Sequence, residues 1–297
     1  MTLAPDLETT LRRSDLDFHV EHFRAESGVR LAVIFMHGFS SHCGVYRHVG
    51  RALAAKGIAV TTFDGRGHGR SSGRRGHVRD FADYVDDLAM VVDWARGQDP
   101  GVPWALVGHS LGGAIVATYA LDEKRVPKPD RLVLAAPYLK LKMKVPAPKQ
   151  LAANVVAKIV PTFSLPNGLV GKDLSRNPAA VTGFDADPLI FHVASAGWFM
   201  ATLRAQAHLR THAQELKVPT LMLIAGDDRI VANEASFAFA QDAGNGVTVK
   251  TYDGLFHELL LEPEAGTVIE DVSNWLVGPP AGTELAPPRP TTEARVR

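Results

Sequence analysis

The chain has 297 residues, enough to bury a sizeable core as one large domain or two small ones. Its 32 Lys and Arg balance 32 Asp and Glu, so no polyelectrolyte partner is implied and nucleic-acid binding has no electrostatic support. A single cysteine, Cys43, excludes an intrachain disulfide and a cysteine-based metal site; with no signal-type N-terminus and no apolar run of membrane-spanning length, a cytoplasmic protein is expected.

Residues 1–15 are polar and expected to be frayed. Asp17–Phe23 alternates with period two and reads as an edge-type strand. Leu31–Met36 is a continuous apolar run ending at His37-Gly38, hence a buried strand followed by a sharp turn. A helix over about 44–56, a strand Ile58–Phe63, a helix over about 80–96, a strand Trp104–Val107 and a helix over about 111–123 then alternate. That rhythm predicts an α/β fold: a mostly parallel central sheet flanked by helices. Between 138 and 210 the rhythm breaks, with prolines at 146, 148, 161, 166, 178 and 188. Leu132–Ala136 precedes this stretch and Thr220–Ala225 and Val247–Tyr252 follow it as further strands, so the stretch must loop out and return, as a lid or cap does. The predicted division is core 1–137, cap 138–210, core 211–277 and a Pro-rich, disordered tail 278–297.

The chemistry centres on Gly108-His109-Ser110-Leu111-Gly112, set between an apolar strand and a small-residue helix. G-x-S-x-G in that context is a nucleophile elbow, a turn so tight that glycine is needed on both sides of the serine. A serine hydroxyl needs a base, and the base needs an orienting acid. Downstream, one strand ends in Asp227-Asp228 and the next is followed by His257, which is the order Ser, acid, His. Spacing alone leaves Asp227 and Asp228 both open. The other downstream histidines, His192, His208 and His212, fall in or near the excursion, and His208 and His212 lack the glutamate of an H-E-x-x-H site. The backbone N–H groups of Leu111 and Phe39 are the expected oxyanion donors, with His37 bracing the Phe39 loop. The glycine-rich stretch Asp64–Ser71 lacks a P-loop lysine and reads as a structural turn held by Asp64 and Arg66. Lys149–Val160 places Leu151, Val155, Val156 and Ile159 on one helical face, which suits peripheral contact of the cap with a membrane surface. Cys43 lies near the oxyanion loop but has no evident base partner.

With these residues in place, the chain resembles the monoacylglycerol lipase and lysophospholipase branch of the α/β-hydrolases (serine aminopeptidase S33-like) over about residues 30–276. The resemblance rests on Met36-His37-Gly38, Asp64-Gly-Arg-Gly-His-Gly-Arg-Ser71 and Gly108–Gly113. It extends to Leu174-Ser-Arg-Asn177, Asp187-Pro-Leu189, Asp228-Arg-Ile-Val231 and His257. It implies the α/β-hydrolase fold and hydrolysis of a single-chain lipid ester, monoacylglycerol first, through an acyl-enzyme on Ser110. It also implies no metal or organic cofactor, and it selects Asp228 as the acid, with Asp227 facing solvent. The chain departs from the family where an acid, an arginine and a second histidine often stand near the glycerol: here Ser41, Val45 and Leu260. These three are expected to make a less polar alcohol pocket. The alternatives are a lysophospholipase or broad carboxylesterase with the same triad, and more remotely a non-catalytic binding module or a serine aminopeptidase. The last would hold a free amine with a cap carboxylate such as Asp173, Asp185 or Asp187.

Overall fold

Strands that are apolar on both faces can only sit where both faces are covered, and the runs Leu31–Met36, Ile58–Phe63 and Thr220–Ala225 are buried along their full length. The computed structural model describes residues 3–143 and 147–278. Its main sheet contains β1 (Leu7–Arg13), β2 (Leu16–Phe23), β3 (Leu31–Met36), β4 (Ile58–Phe63), β5 (Trp104–His109), β6 (Arg131–Ala135), β9 (Thr220–Ala225) and β10 (Val247–Tyr252). Their order is β1-β2-β4-β3-β5-β6-β9-β10, antiparallel for the first two and parallel from β4 onward. Alternate residues feed two cores. Ile34 and Met36 of β3 belong to the core on the side of α2 (Ala82–Gln98), α3 (Leu111–Leu121) and α8 (Asn233–Ala243), whereas Val33 and Phe35 belong to the core on the side of α1 (Arg47–Ala54) and α9 (Ala265–Val277).

From β3 the chain steps to β4 on one side and then to β5 on the other. The carboxyl ends of β3 and β5 therefore diverge and open a crevice, the usual ligand position in open parallel sheets.

Two expectations need correction. Residues 7–13 are not frayed: they form β1, paired with β2 from Leu7↔His22 to Arg13↔Leu16. Leu7, Thr9, Leu11 and Arg13 form its half-buried face, a period-two pattern that the polar composition disguised. Consequently β2 is not an edge strand, since β1 and β4 flank it.

Between β6 and β9 the chain leaves the main sheet through α4 (Ala147–Ile159), β7 (Ser164–Pro166), α5 (Gly171–Leu174), α6 (Pro178–Ala186), β8 (Val193–Ser195) and α7 (Ala196–Thr211). β7 and β8 pair as a small antiparallel ribbon. Asn177 caps α6 by accepting the Ala179 N–H, with Pro178 in the first helical turn, and Ser195 caps α7 through the Trp198 N–H. This region is tied to the rest of the chain. Ser195 N donates to Gly76 O at 2.9 Å, and Arg74 reaches Thr162 O at 3.2 Å. The buried Glu262 carboxylate accepts from Ser175 Oγ, Arg176 N and Arg176 Nε, each at 2.6 Å. α4 is the exception. Its expected single apolar face is divided: Val156 turns to a cavity, while Leu151, Val155 and Ile159 are 66%, 48% and 74% exposed. The Pro-rich tail expected from 278 lies, from residue 279 on, outside the described residues.

Candidate active site

Ser110 links β5 directly to α3 and takes φ +51° and ψ −115°. A non-glycine residue with positive φ costs roughly 1 kcal/mol, which the surrounding packing must offset. The flanking glycines make that packing feasible. A Cβ on Gly108 would lie 2.4 Å from Gly112 O, and one on Gly112 would lie 2.1 Å from Met36 O. A side chain at Gly108 would push α3 away from β5, and one at Gly112 would push it off the end of β3. With glycine there, Ser110 N donates to Ala135 O at 2.9 Å and the hydroxyl stands over the crevice.

The structure brings Ser110, His257 and Asp228 together. His257 Nε2 is 2.9 Å from Ser110 Oγ and His257 Nδ1 is 2.7 Å from Asp228 Oδ2. Asp228 accepts the N–H groups of Ile230 and Val231 on its other oxygen, at 2.8 and 2.9 Å. Its two oxygens are thereby divided between fixing its own loop and facing the imidazole. With a carboxylate at Nδ1, the proton stays on that nitrogen and Nε2 is left to accept from the Ser110 hydroxyl. Asp227, the other candidate, is exposed, whereas Asp228 is fully buried. Burial alone would lower the His257 pKa, but the Asp228 carboxylate outweighs it and holds the pKa above its ordinary value. Burial would raise Asp228, yet His257 and the two backbone N–H groups hold it below the usual carboxylate range.

The loop after β3 lies beside the elbow: a Cβ on Gly38 would fall 3.3 Å from Ser110 Cβ. His37 braces this loop, with Nδ1 donating to Gly38 O at 2.7 Å and Nε2 accepting the Gly65 N–H at 3.0 Å. Burial pushes its pKa down to about 4, so it is neutral. Among the described residues, neither the Phe39 nor the Leu111 N–H has a backbone acceptor, and Leu111 opens α3. The Asp64–Ser71 stretch is a structural turn that supports the same loop. Asp64 accepts the N–H groups of Cys43 and Arg70, both at 2.7 Å, and Arg66 pairs with the buried Asp87.

A cavity of about 700 Å³ opens over Ser110 and His257. Its walls are chiefly apolar, including Phe39, Val156, Leu165, Phe184, Trp198 and Ile230. At its rim Arg229 stacks on Phe256 at 3.8 Å and pairs with Asp173 at 3.3 Å. Ser41, Val45 and Leu260, expected to shape an alcohol pocket, do not line the cavity. Ser41 and Leu260 are 3% and 2% exposed, Val45 packs against the α1–α9 core, and Leu260 lends only its carbonyl, to His48 Nε2 at 2.7 Å. The polar groups missed by sequence reasoning lie behind the histidine. His109 Nε2 donates to His257 O at 3.0 Å, and Tyr46 donates to the buried Glu258 at 2.9 Å. The elbow pattern carries His109 as an unspecified position, so no motif points to it.

Among the described residues, His19, Cys43 and Asp64 are the group of three metal-type ligands that lie together. Asp64 already serves two backbone N–H groups, and burial with the Asp64 charge raises the Cys43 thiol well above its ordinary pKa. Neither fact favours a bound cation there. The rings of His208 and His212 are 4.1 Å apart, with His212 Nδ1 turned to the His208 carbonyl, and among the described residues no third ligand joins that pair.

Comparison with known proteins places this site in context. The family model described as serine aminopeptidase, S33 matches residues 27–264. A monoacylglycerol lipase from Mycolicibacterium smegmatis is 34% identical over 84% of this chain and 88% of its own length. A phospholipase from Bacillus subtilis is 31% identical over 80% of this chain and 92% of its own. The crystal structure of a Paleococcus ferrophilus monoacylglycerol lipase superposes with a TM-score of 0.78 at 30% identity, covering 88% of this chain and 98% of that one. With a mostly parallel sheet between helices, a serine on a strand-to-helix turn and a family match across 27–264, the chain belongs to the serine aminopeptidase S33 family of α/β-hydrolases.

Proposed function

We propose that the protein hydrolyses the ester of a single-chain lipid, monoacylglycerol first, releasing fatty acid and glycerol. The observation that carries this reading is the unbroken Asp228–His257–Ser110 hydrogen-bond chain at the floor of an apolar cavity. Ser110 Oγ attacks the ester carbonyl as His257 Nε2 takes its proton, and Asp228 stabilises the imidazolium. The Phe39 and Leu111 N–H groups hold the tetrahedral oxyanion. His257 then protonates the leaving alcohol, and a water activated by the same nitrogen frees the acid and restores Ser110. The names of the relatives from Mycolicibacterium smegmatis and Paleococcus ferrophilus support the substrate class.

An aminopeptidase would need a cap carboxylate free to hold an amine. Asp173 is paired with Arg229, Asp187 lies 3.0 Å from His42, and Asp185 accepts the Gly171 N–H. A phospholipase reading keeps the same chemistry, and Arg229 at the rim gives it a cation for phosphate.

The segment 138–210 serves in this reading as the lid, and α4 as its contact with a lipid surface. Leu151, Val155, Ile159 and, just beyond them, Val160 and Phe163 are exposed, an apolar set that a lipid interface would cover. No helix among the described residues is long and apolar enough to cross a membrane.

A turnover panel tests the reading: 1- and 2-monoacylglycerols, lysophosphatidylcholine, short p-nitrophenyl esters and an aminoacyl amide, each with Ser110→Ala as control. Monoacylglycerol should give the highest kcat/KM, and Ser110→Ala should abolish turnover and fluorophosphonate labelling with the fold intact. Preference for lysophosphatidylcholine would move the protein to the phospholipase reading, and turnover by Ser110→Ala would end the mechanism.

A further inference from the structure

The loop that carries the Phe39 N–H is gripped by residues of the excursion between β6 and β9, beside an edge-on contact of Phe39 with His68 at 5.8 Å. The Phe39 ring stacks on Trp198 of α7, with centroids 3.9 Å apart, and meets Phe191 edge-on at 5.2 Å. Ser40 is fully buried, holds φ +68° and accepts Asn167 Nδ2–H on its hydroxyl at 2.9 Å. His42 Nε2 lies 3.0 Å from Asp187 Oδ2. Asn167 and Asp187 act alike. Each uses one side-chain oxygen to fix its own turn, Asn167 Oδ1 accepting Leu169 N–H at 3.0 Å and Asp187 Oδ1 accepting Leu189 N–H at 2.8 Å. The remaining atom reaches the loop. On the inner side, the same loop rests on His37 and on Asp64 through the Cys43 N–H.

We infer that the base of the cap is a working part of the oxyanion hole, with Asn167 and Asp187 as positioning residues that set the register of the Phe39 N–H. This rests on the proposed role of Phe39. An oxyanion donor must be fixed to within a few tenths of an ångström before charge develops. A positive-φ serine beside it is a joint that relaxes once its side-chain bond is lost. The excursion that supplies these grips is itself fastened to the core at Gly76, Arg74 and His77, the last through His77 Nδ1 to Ser195 Oγ at 2.8 Å.

The test uses full-length protein carrying Asn167→Ala, Ser40→Ala, both together, or Asp187→Asn, with thermal unfolding to confirm the fold. Turnover of p-nitrophenyl acetate, too short to use the cavity walls, is measured beside inhibition by an alkyl trifluoromethyl ketone, which binds as a tetrahedral oxyanion, and by the matching methyl carbinol, which does not. Each single variant should lower kcat 5- to 20-fold with KM unchanged, and should weaken the ketone by a similar factor while sparing the carbinol. The Asn167→Ala/Ser40→Ala pair should lose no more than its worse member, because both break one bond. If kcat and ketone affinity stay at wild-type values and only KM for long-chain esters rises, the cap merely holds the acyl chain and the inference is overturned. If wild-type protein itself forms no ketone adduct and turns over no ester, the proposed function fails and takes the inference with it.

Discussion

His257 stands between burial, which favours its neutral form, and the Asp228 carboxylate, which favours the charged one, and the carboxylate prevails. A base must be neutral to accept a proton, so kcat/KM should rise with pH through a pKa above 6.5, the ordinary histidine value. Asp228→Asn removes the opposing charge. Its acid limb should move to lower pH, while kcat falls on the order of a thousand-fold or more because the imidazole loses its tautomer and its counter-charge. Stopped-flow pH profiles of the two proteins check both statements. Gly112→Ala makes a second residue-scale prediction. Its Cβ would meet the Met36 carbonyl at 2.1 Å, backbone against backbone, so α3 must shift. A loss of about 3 kcal/mol or failure to fold is expected, read by chemical denaturation. The two glycines and the serine were readable because steric demand at a tight turn leaves almost no other residue type. Spacing alone did not choose the acid, since neighbouring side chains at a strand exit diverge; the resemblance pointed to Asp228, and that is the one buried beside His257.

Elements buried on both faces were read most accurately. Ile58–Phe63 and Thr220–Ala225 have the bounds that apolar runs and turn residues suggested. β1 escaped because its alternating half-buried residues include Thr9 and Arg13, which count as polar by composition although their stems pack inward. α4 shows the opposite limit: helical periodicity identified its apolar positions, but no pattern tells which neighbour each will meet. Replacing Val155 and Ile159 by Glu should reduce co-sedimentation with anionic vesicles at least several-fold, because two exposed apolar side chains become charged. Turnover of a dispersed short ester should be unchanged. Equal vesicle binding by both proteins would show that α4 is not the lipid contact.

Across the whole molecule, long-range charge pairs join segments that the chain keeps far apart. Glu21 of β2 is buried against Arg47 of α1, with Arg47 Nε at 2.9 Å, and His19 bonds it at 3.2 Å. Burial would raise its pKa, but His19 and Arg47 outweigh this and hold it at about 2, against 4.5 when free. A depressed carboxylate stabilises the fold fully above its unfolded pKa and loses that contribution as pH falls through its folded pKa. The stability gap between wild type and Glu21→Gln, on the order of 2 kcal/mol near neutrality after allowing for solvent around Arg47, should therefore close between pH 4.5 and 2. Urea titrations across that range would show it. Such pairs leave no trace in sequence spacing, just as the placement of Ser41, Val45 and Leu260 in the core rather than the cavity could not be foreseen from their positions near the loop after β3 and near His257. The contacts of Phe39, Ser40 and His42 with Trp198, Asn167 and Asp187 carry a lesson for recombination. A chimera given a foreign lid would inherit a mismatched seam, and specificity would change only at the expense of rate. Residues 39–42 therefore have to travel with the lid as one exchangeable unit, although 95 residues, 43–137, separate them along the chain.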